Sequence, residues 1–210
     1  MAIPKFVGES SIWRNIFSER RVRRGSTEEL LSQVPAFSGL NTRELKEVAA
    51  IVHKREYRAG ETVFAQGDPG LGMYVVQEGE VAIVLEDKWE RKRELVVLTD
   101  GDFFGELGLI DESPRSANAV CRTPCALIGF FRPDLMELIE RDHKLGIKIV
   151  HKLAEIVATR LRNTDNELTN TKHELETLQH QIERNSHGEK SDTEDSRREA
   201  KENPDATETD

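Results

Sequence analysis

Between His53 and Phe131 the chain is cut into short apolar or alternating runs by turn-forming residues, and this limits its possible folds more than any other feature. The runs are Glu61 to Ala65, Met73 to Gln77, Val81 to Glu86, Leu95 to Thr99, Ala117 to Cys121 and Ala126 to Phe131. Between them stand Gly60, Gly67-Asp68-Pro69-Gly70, Glu78-Gly79 and Asp100-Gly101-Asp102. Many short strands with such regular turn chemistry predict an antiparallel barrel or jelly roll. Helical signals flank this region. Ser26 with Glu29 has the form of a capping box for a helix from Thr27 to Val34, which Pro35 ends. Asn41 or Thr42 starts a second helix with Leu45, Val48, Ala49 and Ile51 on its apolar side, and Arg132-Pro133-Asp134 opens a third that reaches about Arg141.

A long helix follows from about Leu145 to Arg184. Val150, Ala154, Val157, Leu161, Thr164, Leu168, Thr171, Leu175, Leu178 and Ile182 alternate by four and three, the signature of a left-handed coiled coil, here roughly 60 Å long at 1.5 Å per residue. In a parallel homodimer the flanking charges attract, Arg160 with the partner's Asp165 and Glu167 with the partner's Lys172. The expected class is therefore α+β: an antiparallel, jelly-roll-like β-roll with N-terminal helices and a long C-terminal coiled-coil helix. The expected divisions are a basic amphipathic segment 1–25, the roll with its flanking helices 26–142, the dimerisation helix 143–185 and an acidic disordered tail 186–210.

Charge sets further bounds. The net charge of −9 removes any whole-chain electrostatic case for binding DNA. No run approaches the roughly 18 apolar residues of a membrane span, and no secretory-type stretch opens the chain, so a cytoplasmic location is expected. Six Lys/Arg against two Glu lie within residues 1–24, with Trp13, Ile16 and Phe17 at helical spacing beside them. That pattern suits docking on the protein's own body, and also contact with anionic lipid or a partner. Arg23-Arg24-Gly25-Ser26 reads as a kinase acceptor or inhibitor site as well as the start of the cap. Nine acidic and four basic side chains fill residues 188–210, where no large apolar residue occurs. Cys121 and Cys125 are expected to be small buried thiols, and two cysteines cannot supply the four thiolates of an iron–sulfur cluster.

The candidate site is the run Phe104 to Ala119, F-G-E-L-G-L-I-D-E-S-P-R-S-A-N-A. Gly105 and Gly108 allow backbone N–H groups to approach a ligand, Glu106 to Leu109 suffices for one helical turn, and Arg115 supplies a forked cation that matches a phosphate. A carboxylate beside an anion site needs its own reason. Glu106 has one if the ligand carries a hydroxyl, because an ionised carboxylate only accepts hydrogen bonds. Phosphate and hydroxyl on one small molecule suggest a nucleotide.

This run resembles the phosphate-binding cassette of the cyclic-nucleotide-binding domain family, found in catabolite-activator-type regulators, protein kinase A regulatory subunits and cyclic-nucleotide-gated channels. The pattern F-G-E-[LIM]-[AG]-L, a spacer, then P-R-[AST]-A is met at every position. The glycine spacing of the roll, in Y-x-x-G-E-x-V-F-x-x-G and M-Y-V-V-x-x-G-x-V, widens the resemblance to about residues 36–165. It implies that Glu106 takes the ribose 2′-hydroxyl and Arg115 the cyclic phosphate. Gly105, Leu107 and Ser116 would line phosphate and sugar, and Gly108 would permit the tight turn. Thr164 stands where the catabolite-activator type presents a hydroxyl to the purine, and the adjacent Asp165 is within reach of the base; a tolerated polar seam residue explains Thr164 equally well. Relatives of the transcription-factor type carry a helix-turn-helix where this chain has its acidic tail, and no such element is expected here.

The expectation is a non-enzymatic, dimeric receptor for cyclic AMP ahead of cyclic GMP, with no catalytic residues, metal or cofactor, that couples occupancy to an unknown protein effector through the C-terminal helix. Two other classes remain open: a transcription regulator acting through a partner, and a constitutive dimeric adaptor with a vestigial pocket.

Overall fold

A computed structural model describes residues 25–202 with the exception of Glu90, and side chains as far as His180. The basic segment before residue 25 and the last residues from 203 lie outside that range, as does seam residue Ile182's side chain. The chain divides into two units, residues 1–161 and 162–210.

Among the described residues of the first unit, two α-helices precede the sheets: α1 (Thr27–Gln33) and α2 (Thr42–Ala49). Each is started by a reciprocal cap. Ser26 Oγ accepts from Glu29 N at 3.3 Å while Glu29 accepts from Ser26 N at 3.1 Å. Asn41 Oδ1 accepts from Arg43 N and Glu44 N, both at 3.0 Å, and Glu44 returns the bond to Asn41 N at 2.8 Å. Such caps satisfy N–H groups that the first turn leaves open, and each contributes about 1 kcal/mol.

Eight strands follow among the described residues: β1 (His53–Tyr57), β2 (Thr62–Phe64), β3 (Gly72–Glu78), β4 (Val81–Glu86), β5 (Lys92–Leu98), β6 (Phe103–Phe104), β7 (Asn118–Cys121) and β8 (Cys125–Phe131). They form two four-stranded sheets in the orders β1-β8-β3-β6 and β2-β7-β4-β5, with every pairing antiparallel. This is the expected jelly-roll-like β-roll. Strands β1 and β6 were not legible as separate strands in the sequence. β1 reads His-Lys-Arg-Glu-Tyr and only Tyr57 is buried, as suits an edge strand whose charges discourage further pairing. β6 is two residues long. The turn between β4 and β5 is short, since β4 ends at Glu86 and β5 starts at Lys92.

Burial explains the continuous apolar run of β8. Leu127 joins Tyr57, Val76, Val81, Leu98, Phe104 and Ala119 between the sheets, whereas Ile128 and Phe130 face the helices with Met73, Val75 and Phe103. A strand covered on both faces has no polar side to alternate with. Cys121 and Cys125 are free and buried in the inter-sheet core, as expected. The desolvated Cys121 thiol, hydrogen-bonded to Cys125, is pushed up to about 12.

Helix α3 (Leu107–Ile110) is a single turn between β6 and β7, α4 (Arg132–Arg141) leaves the roll after β8, and α5 begins at His143. Asp142 starts α5, its Oδ1 accepting from Lys144 N at 3.0 Å and Leu145 N at 3.1 Å. Leu145, Ile149, Leu153 and Ile156 bury one stripe of it against the helical core of the first unit. In the second unit the backbone is helical to Glu202. Leu168, Leu175 and Leu178 are each more than half exposed in the single chain. No described helix is long and apolar enough to cross a membrane.

Candidate functional site

The site is built where β6 runs into α3. After the buried pair Phe103 and Phe104 the chain turns through Gly105 at φ 76°, a conformation that side chains resist. A Cβ there would also lie 2.6 Å from Arg115 Nη1. This turn drives the Glu106 side chain inward, to 1% exposure. The following helical turn is clamped by Gly108, where a Cβ would come within 2.9 to 3.0 Å of backbone atoms of Gly70 in the β2–β3 connection and of Gly72 at the start of β3. Arg132, at the start of α4, secures the loop after α3 through Glu112 at 3.0 Å.

Arg115 enters from the other side, just before β7. Its backbone is fixed by Arg115 N donating to Asp68 O at 2.8 Å and Gly67 N donating to Arg115 O at 2.9 Å. Its guanidinium donates from Nη1 to the Gly105 carbonyl at 2.9 Å and from Nη2 to the Gly72 carbonyl at 2.7 Å. The cation lies over the Phe64 ring, 4.1 Å from its centroid, and its buried Nε has no hydrogen-bond partner among the described residues. Burial lowers the Arg115 pKa from its ordinary value, opposed by Tyr74, Glu106 and Asp68. The fork is therefore held by two neutral carbonyls and keeps its charge for an anion.

Glu106 has a partner that the sequence reading missed. Arg160, from the first unit's part of α5, donates from Nη1 to Glu106 Oε1. Its side chain is 15% exposed and sits 5.7 Å from the Phe103 ring centroid. The heptad pattern had assigned Arg160 to an interchain pair with the partner's Asp165, whereas here its guanidinium is turned to the site. A signal was available: Arg160 follows Ile156 by four residues and so continues the stripe Leu145, Ile149, Leu153, Ile156 that faces the first unit's core.

The second carboxylate oxygen, Glu106 Oε2, is buried with no hydrogen-bond partner among the described residues. Leaving such an acceptor empty costs about 1 to 3 kcal/mol, which a donated hydroxyl would recover. The site thus places a forked cation beside the turn that carries an acceptor-only oxygen, since Arg115 bonds the carbonyl of the residue preceding Glu106. Arg115 reaches the Gly105 carbonyl, Glu106 follows on the same turn, and Gly108 packs against Gly70 and Gly72. Leu107, at 47% exposure, and the exposed Ser116 stand at its surface. Thr164 and Asp165 belong to the second unit and are exposed there. Among the described residues no group of three His, Cys, Asp or Glu is placed to hold a metal ion.

Residues 54–142 match the family model described as the cyclic nucleotide-binding domain. Over these residues the chain carries a cyclic nucleotide-binding domain. The cyclic AMP receptor protein of Thermus thermophilus is 37% identical over 134 residues, 64% of this chain and 60% of the relative. The cAMP-dependent protein kinase regulatory subunit of Schizosaccharomyces pombe is 34% identical over 130 residues, 62% of this chain and 31% of that subunit. The crystal structure of the Thermus thermophilus catabolite activator protein superposes with a TM-score of 0.60 at 36% identity, covering 66% of this chain and 63% of that one. This chain therefore spans less than two thirds of the length of each of these proteins.

Proposed function

We infer that the chain is a non-enzymatic receptor for a cyclic mononucleotide, cyclic AMP ahead of cyclic GMP, that acts as a homodimer and reports occupancy to a protein effector through α5. The observation that carries this reading is that Arg115, held by neutral carbonyls, reaches the turn of Glu106, whose buried Oε2 has no hydrogen-bond partner among the described residues. In the proposal the cyclic phosphate takes the Arg115 fork and the ribose 2′-hydroxyl donates to Glu106 Oε2, with Gly105, Leu107, Gly108 and Ser116 around them. Thr164 and Asp165 are the proposed contacts to the base. The names of the relatives support a cyclic AMP ligand.

The link to α5 follows from Glu106 itself. One of its oxygens takes the ligand and the other is bonded to Arg160, so a hydroxyl arriving at Oε2 acts on the same carboxylate that holds the helix. A ligand shifts such an arrangement only by its differential affinity for two states, typically about 1 to 3 kcal/mol. The exposed leucines of the second unit supply the proposed dimer seam.

Calorimetric titration with cyclic AMP and cyclic GMP tests the reading. Cyclic AMP is expected to bind more tightly, and Arg115→Ala to lose about 2 to 5 kcal/mol of affinity by leaving a phosphate unpaired. A chain that binds neither nucleotide is an adaptor, not a receptor. The proposal includes no DNA contact by this chain, and a gel shift at physiological salt checks that.

A further inference from the structure

We propose that Phe64 is a positioning residue for Arg115: its ring sets the tilt of the guanidinium and so aims the unused donors at the anion. The inference rests on the reading of this site as a receptor for a cyclic phosphate. It begins from a mismatch between the cation's five donors and its anchors. Two bonds, to the carbonyls of Gly105 and Gly72, fix two corners of a planar group, and the buried Nε has no partner among the described residues. Those two bonds hold Nη1 and Nη2, while the third corner hangs on the flexible side-chain stem. Arg115 Cζ rests over the Phe64 ring, 4.1 Å from its centroid, so the ring backs the guanidinium and limits its tilt.

The ring is itself fixed. Its centroid is 6.0 Å from that of Tyr74 and 5.8 Å from that of Phe104, and those two stack on each other at 5.5 Å and 19°. The β2–β7 register shifts between Thr62 and Phe64, an irregularity of the kind that re-aims a side chain. Past β2 the backbone is tied to Arg115 by the Gly67 N to Arg115 O and Arg115 N to Asp68 O bonds, so ring and cation stand on one framework. An aromatic face attracts the cation through its quadrupole, which an aliphatic side chain of similar volume lacks. A phosphate accepts in the plane of the fork, so affinity depends on where that plane points.

The test uses the full chain with Phe64→Leu, Phe64→Met in case the leucine variant does not fold, and the aromatic control Phe64→Tyr. In the ligand-free protein, the Arg115 Nε–H resonance, assigned by its loss in Arg115→Lys, is expected to be displaced by the ring current. It should return toward the ordinary arginine position in the Leu and Met variants and stay displaced in the Tyr variant. In calorimetry, cyclic AMP should bind roughly 3- to 30-fold more weakly to the aliphatic variants and within about twofold of the parent to the Tyr variant. A resonance that does not move in the aliphatic variants overturns the inference whether or not the parent chain binds cyclic nucleotide. A resonance that moves with unchanged affinity overturns it too. Absence of binding in the parent overturns the receptor reading and leaves the resonance to decide the Phe64–Arg115 contact.

Discussion

Gly105 shows how far single residues in this site are constrained. Its positive φ and its closeness to Arg115 Nη1 act together, so Gly105→Ala should both strain the backbone and displace the guanidinium. The expected outcome is a loss of about 1 to 3 kcal/mol of stability in denaturant titration, with weaker cyclic nucleotide binding in the folded fraction. Gly105, Glu106 and Arg115 stand out in the sequence because they combine a permissive backbone, an acid directly after it and the one base of the run in a fixed spacing. Arg160 was not, since its partner lies 54 positions earlier in the chain. Phe64 was hidden for a different reason. A phenylalanine in a strand reads as core, and only the three-dimensional arrangement shows that a cation rests on it.

Among the elements, α2 and the opening turns of α5 are joined by a charged contact whose pH dependence can be worked out. Glu44 accepts from Lys148 Nζ at 2.6 Å and from Asn41 N at 2.8 Å. The Lys148 bond first, and the Asn41 bond second, hold its carboxyl below the usual value of 4.5. A carboxyl lowered on folding adds stability above its unfolded value and loses it as pH falls through the folded one. Glu44→Gln should thus be less stable than the parent at neutral pH, with the gap closing below pH 4.5 in denaturant titrations. The gap should be small, because Lys148 is 47% exposed. Elements with strong periodicity or caps, such as α1, α2, β4 and α4, could be placed from sequence to within a residue or so. The charged edge strand β1 and the two-residue β6 could not, because pairing with β8 and β3 defines them and neither has a pattern of its own.

For the whole molecule, the leucines of the second unit set the expected assembly. Leu168 and Leu175 are 53% and 54% exposed, an arrangement that a coiled-coil partner would cover. The parent chain is expected to be a dimer by light scattering, and Leu168→Glu with Leu175→Glu to be a monomer. The heptad spacing was visible at once, because an alternation of four and three is a local pattern that needs no partner to be read. The buried Oε2 of Glu106 has a last consequence, for the chemical company the protein keeps in a cell. In the proposed receptor a 2′-deoxy cyclic nucleotide would reach the Arg115 fork yet bring no donor to that oxygen, and should bind roughly 10- to 100-fold more weakly. Competition between cyclic AMP and its deoxy analogue would reveal a protein that sorts messengers by their sugar before it reads their base.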